Sequence, residues 1–345
     1  MRIMVAGGAG FIGGHVCERL LADGHDVVCL DNYLTGSPGN VSHLVAQDGF
    51  SLVEADASEA PLIAVDHILH LASPASPIDY DRLPLETMRA NALGTWRLLE
   101  VAQKVGAFLT FASTSEAYGD PLVHPQPETY WGNVDPIGPR SCYDESKRFA
   151  EALIMASRRV TGVRAGIVRI FNTYGPRMRI DDGRAIPEML TAALEGRPLI
   201  VHGDGSQTRS FCYVSDLVDG VLQVALDPGN DGELFNVGNP AEMTILELAE
   251  QIRRTVGSSS AIEFDDRRQG DPERRRPDIT KIRQRYGWEP AVGLTEGLDA
   301  VAEDFRARLP RRRAGTTPTE AGTGRADFAV SEEPAERPVS GQRGS

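Results

Sequence analysis

Gly7-Gly8-Ala9-Gly10-Phe11-Ile12-Gly13 is the stretch on which the fold turns. It follows a strand-like apolar run, Arg2 to Ala6, and opens a helical pattern from Ile12 to Ala22. The spacing is G-x-x-G-x-x-G. Glycines let the chain turn tightly and come close to a pyrophosphate, which the free N–H groups of the following helix can hold. A second strand-like run, from Asp26 to Leu30, leads to Asp31. An acid at that distance accepts hydrogen bonds from the ribose hydroxyls and favours NAD over NADP. A lone glycine triplet is often only a turn. Strand, glycines, helix and acid together predict a dinucleotide site. It uses Gly7, Gly10, Phe11, Ile12, Gly13 and Asp31, with Asn32, Tyr33, Thr35 and Gly36 wrapping the adenosine. Asp56 and Ala57 after the third strand are expected near the adenine, and Leu71 and Ala72 after the fourth near the nicotinamide.

Outward from this stretch, apolar runs keep alternating with helical patterns. His67 to Leu71, Phe108 to Ser113 and Arg164 to Phe171 read as strands; Pro84 to Val105 and Tyr143 to Thr161 read as helices. That alternation predicts an α/β fold, a Rossmann-like doubly wound parallel sheet with crossover helices. The expected division is a dinucleotide-binding domain over 1–172, with later strands interleaved, and a smaller C-terminal substrate-binding lobe over 173–309. Residues 310–345 are rich in Pro, Gly, Thr, Glu and Arg and poor in large apolar residues, so a disordered tail is expected.

A chain of 345 residues with 41% hydrophobic and 25% charged residues has an ordinary globular composition. Its net charge of -13 argues against nucleic acid or an anionic membrane as partner. An anionic substrate then needs a local cluster of arginines. Cys17, Cys29, Cys142 and Cys212 form no CxxC pair and no metal-ligand spacing, so free thiols and no metal are expected. The chain begins on a strand without a basic leader, and no apolar run has the length of a membrane span, so a cytoplasmic protein is expected.

Tyr143-Asp144-Glu145-Ser146-Lys147 sets a phenol and an ammonium at i and i+4, one face of a helix. The lysine is expected to lower the phenol's pKa so that Tyr143 acts as a base near neutrality. YxxxK alone is usually a solvated helix face. It gains weight downstream of a dinucleotide site and of Ser113-Thr114-Ser115-Glu116, which ends a strand where ligands collect in open α/β sheets. Thr114 is placed to bind the hydroxyl that Tyr143 deprotonates. Glu116 is read either as a proton-transfer or sugar-binding carboxylate, or as a helix-dipole partner.

These residues lie within longer stretches that carry a resemblance: LASPASP at 71–77, ASTSEAYGDPLVHPQPETYWGNVDPIGPRSCYDESKR at 112–148, RIFNTYGPRM at 169–178, GDGSQTRSFCYVSDLV at 203–218, RRRPDI at 274–279 and GWEP at 287–290. From Arg2 to about Phe305 the chain resembles the nucleotide-sugar epimerase/dehydratase family of extended short-chain dehydrogenases, and within it the UDP-glucuronate decarboxylases. The resemblance implies a homodimer, bundled through the helices near 90–105 and 143–160. It implies that hydride passes from C4 of UDP-glucuronate to NAD while Tyr143, beside Lys147, takes the C4 hydroxyl proton. The 4-keto acid then loses carbon dioxide, C5 is protonated, and return of hydride gives UDP-xylose. Thr114-Ser115-Glu116 is similar to the decarboxylase pattern. A 4,6-dehydratase resembles Thr-Asp-Glu there, and a simple 4-epimerase usually lacks the carboxylate. Both remain alternatives, as does, more remotely, a non-catalytic NAD-binding regulator. By resemblance, Arg184 and Arg209 hold the diphosphate region, Asn172 contacts substrate or its phosphates, and Arg275 lies near the sugar carboxylate as a candidate proton donor; Arg89, close in sequence to the expected pocket, is a further substrate-binding candidate. The chain departs from the pattern at Ser146, where the family usually has Gly. It departs also at Ser37, at Glu86 and at Arg89-Ala90-Asn91.

Overall fold

A computed structural model describes residues 1–267 and 272–309. Six strands build most of the large sheet: β1 (Arg2–Ala6), β2 (Asp26–Asp31), β3 (Phe50–Glu54), β4 (His67–His70), β5 (Phe108–Thr114) and β6 (Ala165–Ile170). The seventh, Leu234–Val237, comes much later in the chain and pairs with β6. All pairs are parallel, in the order β3-β2-β1-β4-β5-β6 followed by Leu234–Val237. The doubly wound α/β expectation holds. The order reverses between β1 and β4, and the crevice beyond the strand ends at such a switch point is where ligands bind in these sheets.

The strand runs are apolar on both faces because helices cover both. Met4, Leu30, Ile68 and Leu109 pack with Leu98, Val101 and Ile154 on one side. Ile3, Val5 and Val27 pack with Val16, Leu20, Val218 and Leu222 on the other. Each such side chain contributes about 1.5–3 kcal/mol on burial.

The helix expected over 84–105 forms with an interruption: helical Pro84–Arg89, a π-turn at Ala90–Gly94, then helical Thr95–Val105. The π-turn lies beside the site described below, a common location for such turns. Gly94 also allows close approach, since a Cβ there would come within 3.2 Å of Ala57 Cβ. The helix Ser141–Thr161 stops at Gly162 in the left-handed conformation, an ordinary glycine C-cap.

From Thr173 on the strands are shorter. Thr208–Ser210 pairs with Glu242–Thr244 and Arg274–Arg275 in a three-stranded sheet, and Leu199–His202 pairs with Ile262–Asp265. Thr244 and Glu247 close a capping box on the helix Ile245–Val256. The expected tail at 310–345 lies outside the described residues. The four cysteines are unbridged, and Cys142 is half-buried rather than buried. Among the described residues no helix is long and apolar enough to cross a membrane.

Two buried histidines on β4 make a stability prediction. His67 is hydrogen-bonded to Thr110 and His70 to Thr95. Burial pulls their pKa values down from 6.5 to about 4 and about 3. Between these values and 6.5 the unfolded chain binds protons that the folded chain refuses. Stability is therefore expected to fall as pH drops from 6.5 towards 4, by up to about 1.4 kcal/mol per pH unit for each histidine. Tm measured against pH checks this, and a His70→Gln variant should show the shallower decline.

Candidate active site

Between β1 and β4 the strand ends open on a cleft of about 540 Å³. Gly7, Gly10, Asp31, Asn32, Thr35, Gly36, Asp56, Ala57, Leu71 and Ala72 line it. Tyr33, Phe11, Ile12 and Gly13 do not. Tyr33 takes the left-handed conformation at φ 57, while Phe11, Ile12 and Gly13 form the first turn of the helix Phe11–Ala22. Asp31 accepts from Ala9 N at 2.9 Å and Tyr33 N at 2.8 Å. Each carboxylate oxygen keeps lone-pair capacity for a ribose hydroxyl. Asp56 accepts from Asn32 Nδ2 at 2.8 Å and from Ser58 N at 2.8 Å, which fixes the rim.

The glycines meet backbone where a side chain would stand. A Cβ on Gly13 would lie 2.0 Å from Gly7 O, and one on Gly7, whose φ is +82, would lie 2.6 Å from Ala72 N. Gly13→Ala therefore must push the helix off the loop. The expected result is loss of NAD binding by at least ~10-fold, since a shift worth about 1.4 kcal/mol already gives that factor. Titration of NADH fluorescence checks it. Unchanged affinity would mean that the helix can retreat without disturbing the cradle.

The second half of the site sits where β5 ends and the helix Ser141–Thr161 begins. Thr114 is hydrogen-bonded to the Tyr143 phenol. Tyr80 stacks on the Tyr143 ring at 5.3 Å and 14°. Lys147 Nζ lies 5.9 Å from that ring's centroid and donates to Ala112 O at 2.8 Å. The sequence leads one to expect the lysine to lower the phenol's pKa. In this structure burial acts first on both groups. It pushes the phenol up to about 12 against the Thr114 hydrogen bond, and pulls Lys147 down to about 7 against the attraction of Glu151.

Glu116 is the focus of two guanidiniums. Arg275 grips both its oxygens, with the Nη2 bond at 2.9 Å, and Arg140 Nη2 donates to Oε2 at 2.5 Å. Burial opposes ionisation, but Arg275 and Arg140 outweigh it and hold the carboxyl at about 2. Ser115 is buried in the turn Ser115–Tyr118.

A sequence model of known proteins matches residues 3–238 and is described as the NAD dependent epimerase/dehydratase family. The chain belongs to this family. Its glycine cradle and Asp31 fit the dinucleotide that the family uses. The chain is 51% identical over 310 residues to UDP-glucuronic acid decarboxylase 3 of Arabidopsis thaliana, covering 90% of each chain. It is 50% identical over 308 residues to UDP-glucuronic acid decarboxylase 1 of Danio rerio, covering 89% of this chain and 73% of that one. Among solved structures it resembles UDP-glucuronic acid 4-epimerase from Bacillus cereus in complex with UDP-glucuronic acid and NAD. That match has a TM-score of 0.81 and 28% identity, over 90% of this chain and 100% of the other.

Within the family fold the remaining arginines fall in different places. Arg209 stands beside Arg275 in the small sheet, donating to Thr208 O at 2.7 Å. Arg184 precedes the helix Ala185–Glu195, is paired with Asp182, and its charge reaches Tyr143. Asn172 is half-buried and accepts from Cys212 N through its backbone at 2.9 Å. Arg89 points instead to the cofactor rim, where it bonds Ser58 Oγ at 3.1 Å and Glu59 at 2.8 Å. Sequence reasoning overlooked Arg140, Tyr80 and Glu151. Only Glu151 had a local signal, its i+4 spacing from Lys147.

Proposed function

We propose that the chain converts UDP-glucuronate to UDP-xylose and carbon dioxide through a 4-keto intermediate. The observation that carries this is the half-buried Glu116 held by Arg275 and Arg140 beside Tyr143 and Thr114. It is a site built to manage carboxylate charge at a hydroxyl that loses its proton. About half identity to decarboxylases over nine-tenths of the chain supports the same reading.

Bound NAD supplies the hydride acceptor and returns the hydride. Tyr143 takes the C4 hydroxyl proton and gives it back to O4, with Thr114 orienting that hydroxyl and Lys147 setting the charge around it. Ser115 leaves the site without the second acid a dehydratase needs. Arg275 holds the sugar carboxylate until it leaves. Arg184, Arg209 and Asn172 receive the diphosphate side of the substrate, in the lobe formed by 173–309, and Arg89 steadies the rim that both ligands share. The active form is a homodimer. Leu93, Trp96 and Phe149 stand exposed along the two helices that would form its bundle. Its compartment is the cytoplasm, in keeping with four unbridged thiols.

Incubation with NAD and UDP-glucuronate, followed by mass spectrometry of the nucleotide sugars, tests the reading. A UDP-pentose formed with release of carbon dioxide is expected. An unchanged mass at a new retention time would mean epimerisation, and no turnover despite NAD binding would sink the substrate assignment.

A further inference from the structure

A second cleft, of about 710 Å³, is lined by Glu116 together with Asp135, Arg140, Asp144 and Arg275. Asp144 follows Tyr143 directly on the helix and is only 6% exposed. Its Oδ1 is buried and has no hydrogen-bond partner among the described residues. Buried polar atoms are nearly always paired, and an ionised carboxylate left without donors is costly. A carboxyl in this position is held as the neutral acid, or waits for a partner that arrives with the reaction.

The proposed reaction needs such a group. The C5–carboxyl bond breaks, its electron pair moves into an enolate over C5, C4 and O4, and carbon dioxide leaves. The enolate then takes one proton at C5 and the C4 ketone is restored. Tyr143 returns the proton it removed, so the C5 proton comes from solvent, one per turnover. Glu116 is ionised by its two arginines and carries no proton to give. The hydroxyl of Ser115 can pass a proton but does not store it.

We propose that Asp144 is the relay carboxyl that takes a proton from solvent through the second cleft and passes it towards C5, an assignment that rests on the decarboxylase reading above. It stores the proton, the Ser115 hydroxyl or a water in the cleft hands it on, and Asp144 is thus a positioning residue for the proton. The groups that face it are Glu116, Arg140, Arg275 and its neighbour Glu145, with Tyr80 and Cys142 close enough to feel its charge. Burial first, and then the charge of Glu116, raise its pKa to about 7 against Arg140 and Arg275. It is protonated on the acid side of neutrality and can be refilled from water.

The test is a single-turnover reaction of the full chain with NAD and UDP-glucuronate, followed by NADH absorbance, for wild type and Asp144→Asn. NADH formation, which reports C4 oxidation, is expected at wild-type rate in the variant. NADH decay, which waits for C5 protonation, is expected to slow ~10²-fold. In wild type the decay should slow as pH rises through about 7, and that limb should vanish in the variant. In D2O the wild type should label one face of C5 and the variant both faces. Wild-type decay and one-face labelling in Asp144→Asn would overturn the proposal. A wild-type decay rate flat across the neutral range would overturn it without the variant. Failure of the wild type to make any UDP-pentose would instead overturn the decarboxylase reading, and the role of Asp144 with it.

Discussion

Tyr143→Phe is expected to lower kcat by ~10³-fold or more while NAD binding stays within a few-fold of wild type. The substitution removes one oxygen and little else. The ring remains stacked on Tyr80, and Lys147 keeps its bond to Ala112 O, so the helix that carries both stays in place. Loss of the Thr114 hydrogen bond costs about 1 kcal/mol of stability. What disappears is the phenol proposed to accept the C4 hydroxyl proton next to Thr114. Steady-state assay for UDP-xylose with a parallel NADH titration separates the two effects. Turnover within ten-fold of wild type would remove Tyr143 from the base role. The phenol stands at about 12 and the lysine at about 7 in this structure, so burial holds both away from their charged forms. Lys147→Met should accordingly show its loss in kcat rather than in folding.

The dinucleotide half of the site was legible because it is local. Gly7, Gly10, Gly13 and Asp31 lie within 25 residues, and each answers to a backbone requirement that sequence spacing expresses directly. Five of the six early strands were legible for a related reason: a strand buried on both faces reads as an apolar run, whereas the edge strand Phe50–Glu54, with no buried residue, does not. The π-turn at Ala90–Gly94 was not, because it depends on contacts across helices. Asn91 Nδ2 donates to Ser146 Oγ at 3.0 Å, and Ser146 Oγ donates to the Tyr143 carbonyl at 3.0 Å. Arg140 and Asp144 were equally hidden. Their meaning comes from Glu116, which only the fold brings beside them, and arginines on a helix start usually face water. Arg89 was placed by its proximity in sequence to the expected pocket, and that proximity did not reveal that its guanidinium reaches the turn at Ser58 and Glu59.

Arg275→Met is expected to cost about 3 kcal/mol of stability and to lower kcat by ~10²–10³-fold. Arg275 is 159 residues from Glu116 in sequence, and its side chain is 4% exposed in the folded chain. Removing it leaves a buried carboxylate with Arg140 as its one remaining cation, so the penalty falls at the low end for a broken buried pair. Glu116→Gln is expected to be worse for folding, because it leaves Arg275 and Arg140 buried together with no anion between them. The double variant Glu116→Gln, Arg275→Met removes one charge of each sign. It should recover most of the stability lost by either single change, and Tm should rise accordingly. Activity should not recover, since the group proposed to hold the substrate carboxylate is still absent. If activity returned together with Tm, the pair would be holding the fold alone and the carboxylate would be recognised elsewhere. If neither returned, the coupling between the two side chains would be weaker than their bidentate contact implies.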